Sequence, residues 1–403
     1  MKNNKKMKKA ILSLVLTSFL MISCADDDTA DIIINDNSVT NNNNGNGNGN
    51  TQGTTIYLSG TYVVDLALDP INQYILNGPM IMASGTTLTI PAGMTIEALA
   101  AGSDVYLAIA QGARIIANGN ASNPIVFTSN SSAPAAGDWG GLILLGKAPI
   151  NSVTAGATAT SEIGSLPYGG SDATDNSGSL QYVRVQYSGG KADGQSENNG
   201  FSFYGVGSGT VVQYVQMFEG LDDGFEFFGG TVNVDFLSAE NAQDDSIDWT
   251  EGYTGTITNA YVKHGADHDK GIEADGFNTD IGNNSSPIFW SNPTIENLTI
   301  EGLGSTTGNE AIRLRAGTRV TIINLVINGY NEGIDMDGDL IDNPTGEGVT
   351  LDITNIIDIT FIDVITKLKN DTGVSFTEAD LISGDGNGTG TDYATWGAGW
   401  TVE

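Results

Sequence analysis

The chain has 403 residues, with 48 acids against 16 bases and a formal charge of −32. That charge repels nucleic acid and anionic lipid heads, and argues against both as partners. One Cys excludes a disulfide scaffold, one Cys with two His leave no basis for a zinc domain, and 39% apolar content suffices for a core.

Residues 1–23 read as a secretory signal. Lys2, Lys5, Lys6, Lys8 and Lys9 precede the apolar run AILSLVLTSFLMI, which is short for a membrane span. Ser23 then stands before Cys24, the only Cys of the chain, in an arrangement similar to a bacterial lipobox, with Met21 where Leu is commonest. In this reading Cys24 is acylated and anchors the mature chain to the lipid bilayer. The following ADDDTAD is similar to the surface-export signal of Bacteroidota lipoproteins, and predicts a lipid-anchored, surface-exposed outer-membrane protein. Residues 24–55 form an acidic, then Asn- and Gly-rich flexible tether. Five lysines leave with the signal, so 11 bases face 48 acids in the mature chain, a charge of −37.

The body begins with short strands cut by Gly and Pro: TTLTIPAGMTIEA (86–98), VYLAIAQGARIIANG (105–119) and NPIVFTSN (123–130). GDWGGLILLGKAPIN (137–151) follows, then a polar excursion to about 178. Repetition at a spacing near 22 residues is legible from about residue 82. NNGFSFYG (198–205), DDGFEFFG (222–229), DDSIDWTE (244–251), DKGIEADG (269–276), NEAIRLRA (309–316) and NEGIDMDG (331–338) align, with strands such as TVVQYVQMFEG and TITNAYVKHG between them. Period-2 alternation at a fixed interval predicts an all-β chain, a parallel β-helix over 56–375 whose coils bury their apolar faces by stacking. Phe201, Phe225, Ile247, Ile272, Ile312 and Ile334 form one inward column; Phe203, Phe227, Trp249, Ala274, Leu314 and Met336 form the next. The turn residues Asn198, Asp222, Asp244, Asp269, Asn309 and Asn331 are expected to form a ladder that tolerates left-handed backbone.

The series TLTIPAG, QGARIIANG, NPIVFTS, GDWGGLILLGKAPIN, YGGSDATDNSGSLQYVRVQYSGG and DDGFEFFGGTVN resembles a family of Bacteroidota cell-surface proteins. That resemblance covers most of 82–340 and implies a right-handed, pectin-lyase-like β-helix. It implies no catalytic residue.

Between the inward columns lie two outward ones: Ser202, Glu226, Asp248, Glu273, Arg313, Asp335, and Tyr204, Phe228, Thr250, Asp275, Arg315, Asp337. Coils about 4.8 Å apart place Glu226, Asp248 and Glu273 in a carboxylate row, joined by Asp275, where the charges raise one another's pKa unless a cation intervenes. Ca²⁺ is the hard cation such oxygens suit, and a solvated acidic face is the alternative. Arg313 and Arg315 project onto the same face as candidate ligand contacts. The interval from Ile272 to Ile312 is 40 residues, and its excess is a loop over 276–293 that carries Phe289 and Trp290, either to bind a ligand or to cap the loop itself.

Weaker signals are His264 and His268, read as a polar turn; DMDGDLIDNPTGEG, which misses the EF-hand spacing; and DGNGTGTD, a loop. Residues 376–403 are expected to cap the last coil. Two functions fit: a non-catalytic surface module binding glycan, Ca²⁺ or an outer-membrane transporter partner, which the sequence alone favours, and a Ca²⁺-dependent polysaccharide lyase or glycoside hydrolase acting on extracellular glycans.

Overall fold

The computed structural model describes residues 53–403 apart from 155, 192–197, 280–282, 285 and 339–344. Cys24 and the tether up to residue 52 lie outside the described residues. From Thr55 the chain winds into a parallel β-helix, taking the right hand that crossovers between parallel strands adopt. Twenty-two strands join in one sheet, so the winding begins well before the repeat becomes legible in the sequence. Each full coil contributes to three faces. In the coil from Val211, residues 211–213 lie on the first face, 215–218 on the second and Phe225–Phe228 on the third.

The alternation dictates what is buried. The two inward columns stack in the expected register, and every member is fully buried. Phe201 and Phe225 stack at 4.7 Å, Phe203 and Phe227 at 5.1 Å, and Phe227 and Tyr253 at 4.4 Å. Each such side chain contributes about 1.5–3 kcal/mol when taken out of water.

The left-handed residues are not where the sequence suggested. None of Asn198, Asp222, Asp244, Asp269, Asn309 and Asn331 has a positive φ. Left-handed backbone stacks instead at the corner between the first and second faces, at Tyr182, Tyr214, Phe236, Asn259, Asn297, Asn324 and Asp358, with φ of 49–62°. That corner is a single residue between two strands, so one dihedral must absorb the whole bend. The Asn/Asp turn spreads its bend over several residues, and its left-handed positions fall before the ladder residues, at Tyr187, Glu219 and Asn241. Asn and Asp tolerate the conformation, whereas in bulky residues it is strained. The aromatic members offset that cost by stacking, Tyr182 on Tyr214 and Tyr214 on Phe236, each at 4.2 Å. In the later coils Asn324 donates to Asn297 (2.8 Å) and Asn297 to Asn259 (3.1 Å). Asn297→Ala is expected to cost about 2–4 kcal/mol, from the dihedral penalty and two lost hydrogen bonds. Asn297→Gly would recover the dihedral part, and equal losses in the two variants on chemical denaturation would refute this account.

Two excursions leave the coils. The first, 147–178, carries a small antiparallel pair, Ala159–Thr160 with Pro167–Tyr168. It lays Ile150, Ile163 and Tyr168 over Tyr204 and Phe228 on the outer side of the third face, making a second small core. The other, 276–293, follows Ile272–Asp275.

The tail starts at the end of the solenoid and then turns back. Ile382–Ser383 pairs with Ile356 and Ile357 of the last long strand, Asn355–Asp371. From there the chain runs back along the body as a strap. Asn324 accepts hydrogen bonds from the backbone of Thr389 and Gly390, and Thr299 from that of Thr391. Tyr393 stacks on Tyr261 at 3.9 Å, Trp396 tilts over Phe236, and Trp400 meets Tyr214 and Tyr182 edge-on. The Gln216 amide takes both backbone groups of Val402, at 2.9 and 2.7 Å. Gln216, Ser238 and Glu240 face outward on the second face, yet all three are buried beneath this strap.

Candidate functional site

The third face carries the charge. Glu226, Asp248 and Glu273 sit in register on successive coils, followed by Arg313, Asp335 and Lys369. Their neighbours along each strand are the buried inward columns, so they must face outward. Two further acids join them from the preceding turn. Asp223 accepts a hydrogen bond from the Asp245 backbone (2.9 Å), and Asp245 one from the Lys270 backbone (2.7 Å), so each aspartate ties its coil to the next. Carboxylate oxygens of Asp223, Glu226 and Asp248 all lie within 4.8 Å of one another, as do those of Asp245, Asp248 and Glu273.

The row is neutralised at one end only. Arg315 binds Glu273 (2.5 Å) and Asp275 (2.6 Å). Lys270, itself buried, contacts Asp269 (2.6 Å), Glu273 (2.8 Å) and Asp245 (3.8 Å). Burial works against the Lys270 ammonium and the Arg315 guanidinium, but the surrounding acids outweigh it and raise both pKa values. At the other end none of Asp223, Glu226 and Asp248 pairs with a cation among the described residues. Burial first, then the neighbouring carboxylates, hold all three well above the ordinary carboxylate range. Asp245 is raised by burial and Glu273, with Lys270 opposing. For Glu226 the opposing influence is Asn199, whose amide donates to Oε2 at 2.5 Å.

The structure brings together Glu226, Asp248, Glu273, Asp275 and Arg315. Arg313 is in register with Glu273, but its guanidinium is committed to Glu310 (2.6 and 3.0 Å), with Asp335 and Asp337 at 3.7 Å. Phe289 and Trp290 fold back onto the body. The Phe289 carbonyl accepts from Asn151 (2.8 Å), its ring lies over Gly252, and Trp290 packs against the Arg319 guanidinium at 4.9 Å. His264 and His268 form a polar turn, hydrogen-bonded to Tyr330 and Asn309. Sequence reasoning missed Asp223, Asp245, Lys270 and Asn199 as members of the site. The signal for the two aspartates was the doubled acid of DDGFEFFG and DDSIDWTE; all four residues stand in a turn, where strand alternation no longer says which way a side chain points.

Residues 60–401 match the family described as the pectate-lyase-like beta helix domain. The chain belongs to the pectate-lyase-like β-helix family. No curated protein matches it. Among solved structures, the catalytic domain of a GH87 alpha-1,3-glucanase is similar in two complexes, each at 11% identity. The complex with tetrasaccharides has a TM-score of 0.31 over 82% of this chain, and that with nigerose 0.30 over 83%. This chain spans 64% of the length of either. In this chain the third face is one long, ordered surface, with Glu226, Asp248 and Glu273 gathered at mid-length.

Proposed function

We propose that this β-helix protein is a glycoside hydrolase acting on neutral extracellular polysaccharide, with Glu226 and Asp248 as its working carboxyl pair. One observation carries the reading: two adjacent outward carboxyl groups, with no cation paired to either among the described residues, hold their protons above the ordinary range. A carboxyl poised in that way protonates a leaving oxygen, and its ionised neighbour assists water or attacks the sugar. Lyase chemistry needs a base to take a ring proton. Arg313 and Arg315 are both engaged by carboxylates that favour their charged forms, which removes them from that role. The charge of −32 also disfavours polyanionic substrates. These points shift the weight from a passive binding module to an enzyme.

The oxygens of Asp223, Glu226 and Asp248 are of the kind and spacing that suit a hard dication, so a second reading gives this end of the row to Ca²⁺, held by those three residues. Bound there, Ca²⁺ would neutralise the row and hold sugar oxygens. The export signal and Cys24 support placement outside the cell on a lipid anchor. One experiment addresses these points: reducing-sugar release from a panel of neutral and uronate polysaccharides, with and without chelator. Glu226→Gln and Asp248→Asn are each expected to lower kcat by about 10²–10⁴. Activity should stay with whole cells and leave them in Cys24→Ser. Turnover on uronates alone, or full activity in both carboxyl variants, would sink the hydrolase reading; loss with chelator would favour Ca²⁺.

A further inference from the structure

Asn151 of the first excursion and Gly276 of the second are 125 residues apart in the chain, yet the two excursions meet there, on one side of the carboxyl row. Their meeting point is Glu251, which follows the strand that carries Asp248. Glu251 is buried, and its φ of 53° is unusual for a residue with a side chain. Its Oε2 accepts from the Ser152 hydroxyl (2.8 Å) and the Tyr168 hydroxyl (2.7 Å), both of the first excursion. Its Oε1 accepts from the Asn278 amide (3.3 Å) of the second. Its backbone carbonyl accepts from the Asn151 amide N–H (2.8 Å).

The excursions are also bonded to each other around this point. Asn151 donates to the carbonyls of Gly276 and Phe289, each at 2.8 Å, and Asn284 donates to that of Asn151 at 3.0 Å. Each excursion in turn touches the row. Glu162 of the first lies close enough to Glu226 to raise its pKa, and Ser291 of the second donates to the Asp275 carbonyl at 2.7 Å. A buried carboxylate that satisfies donors from both segments is costly to disturb, because removing it strands three donors at once. Strain in the backbone at such a point persists only where the surroundings hold it.

We propose that Glu251 is a positioning residue that joins the two excursions into one wall beside the carboxyl row, and that this wall holds the glycan against Glu226 and Asp248. The second half rests on the hydrolase reading above; the first half does not. Glu251 touches no reacting atom, so its effect falls on binding rather than on the chemical step.

The test pairs hydrogen exchange with kinetics. In Glu251→Ala, peptides from 147–178 and from 276–293 are expected to exchange at least tenfold faster together, while the third-face strands keep their protection. KM should rise about tenfold with kcat within threefold, and Glu251→Gln should recover part of both. Should Glu251→Ala fail to fold, Tyr168→Phe with Ser152→Ala cuts one arm and Asn278→Ala the other. Each is then expected to loosen both segments, because they move as one. Loosening confined to the cut segment, or to neither, overturns the joint; a fall in kcat at unchanged KM overturns the positioning role. A wild type inactive on every neutral glycan would sink the hydrolase reading and the positioning role with it, while exchange still decides the joint.

Discussion

Removal of residues 388–403 is expected to lower stability by about 3–5 kcal/mol, the range for losing one large buried aromatic, and to split the melting transition in two. Stacked coils are stabilised mainly by their immediate neighbours, so an unsupported end frays without disturbing the rest. The strap breaks that locality. It leaves the coil of Asn355–Asp371 and reaches Tyr182 and Arg184 of the coil starting at Gly178, a distance of about 29 Å at 4.8 Å per coil. Trp400, almost wholly buried, closes the far end. Trp400→Ala alone should take most of the loss, because it uncovers the Tyr182–Tyr214 stack and removes the indole hydrogen bond to the Trp396 carbonyl. Calorimetry is the measurement, and a single transition at unchanged temperature after truncation would show that the strap carries no stability.

Glu226→Gln and Asp248→Asn are each expected to raise the melting temperature at pH 8, by an amount that shrinks to nothing in mild acid. A group whose folded pKa is raised binds its proton more tightly in the native state. It therefore lends stability that is complete below the unfolded carboxyl value of about 4 and is lost as pH rises through the raised folded value. Asp223, Glu226, Asp245 and Asp248 are all of this kind. Every tenfold by which the fold tightens proton binding at such a carboxyl corresponds to about 1.4 kcal/mol. His264 works the other way: burial and His268 hold it down to about 3, so it costs stability as pH falls from about 6.5. The two influences overlap in the raw profile, and only the difference between wild type and variant isolates the row. A difference that is absent at pH 8, or that grows toward acid, would contradict the electrostatics described. The same substitutions are expected to lower kcat by about 10²–10⁴, so more stable and less active is the combined signature of the site.

Much of this was legible in the sequence because strand alternation is local and repetitive. Phe225, Glu226 and Phe227 declare their directions through their neighbours, and 22-residue spacing then fixes which residues of the next coil they meet. Legibility failed where the chain bends. The left-handed corner could not be read, since Tyr182, Tyr214 and Phe236 look like ordinary strand residues and only their place between two strands strains them. Asp223 and Asp245 were hidden for the same reason. The link through Glu251 was unreadable for a different one: its partners Ser152, Tyr168 and Asn278 come from irregular segments, whose course no periodicity dictates. The route of the tail followed from Trp396 and Trp400 only once the aromatic corner they dock on was known.

The strap also makes the molecule sensitive to its own completeness. Coils can wind in the order in which they are made, each laid on the one before. Residues 388–403 arrive after every coil they fasten, the earliest of which is in place long before them. A chain that stops early can wind every coil and still lack the closure across them, so premature termination produces a rod that is assembled but unlocked. Because the fastening ends beside Arg184 and Gln216, a reporter fused after Glu403 would emerge partway along the rod and not at its tip.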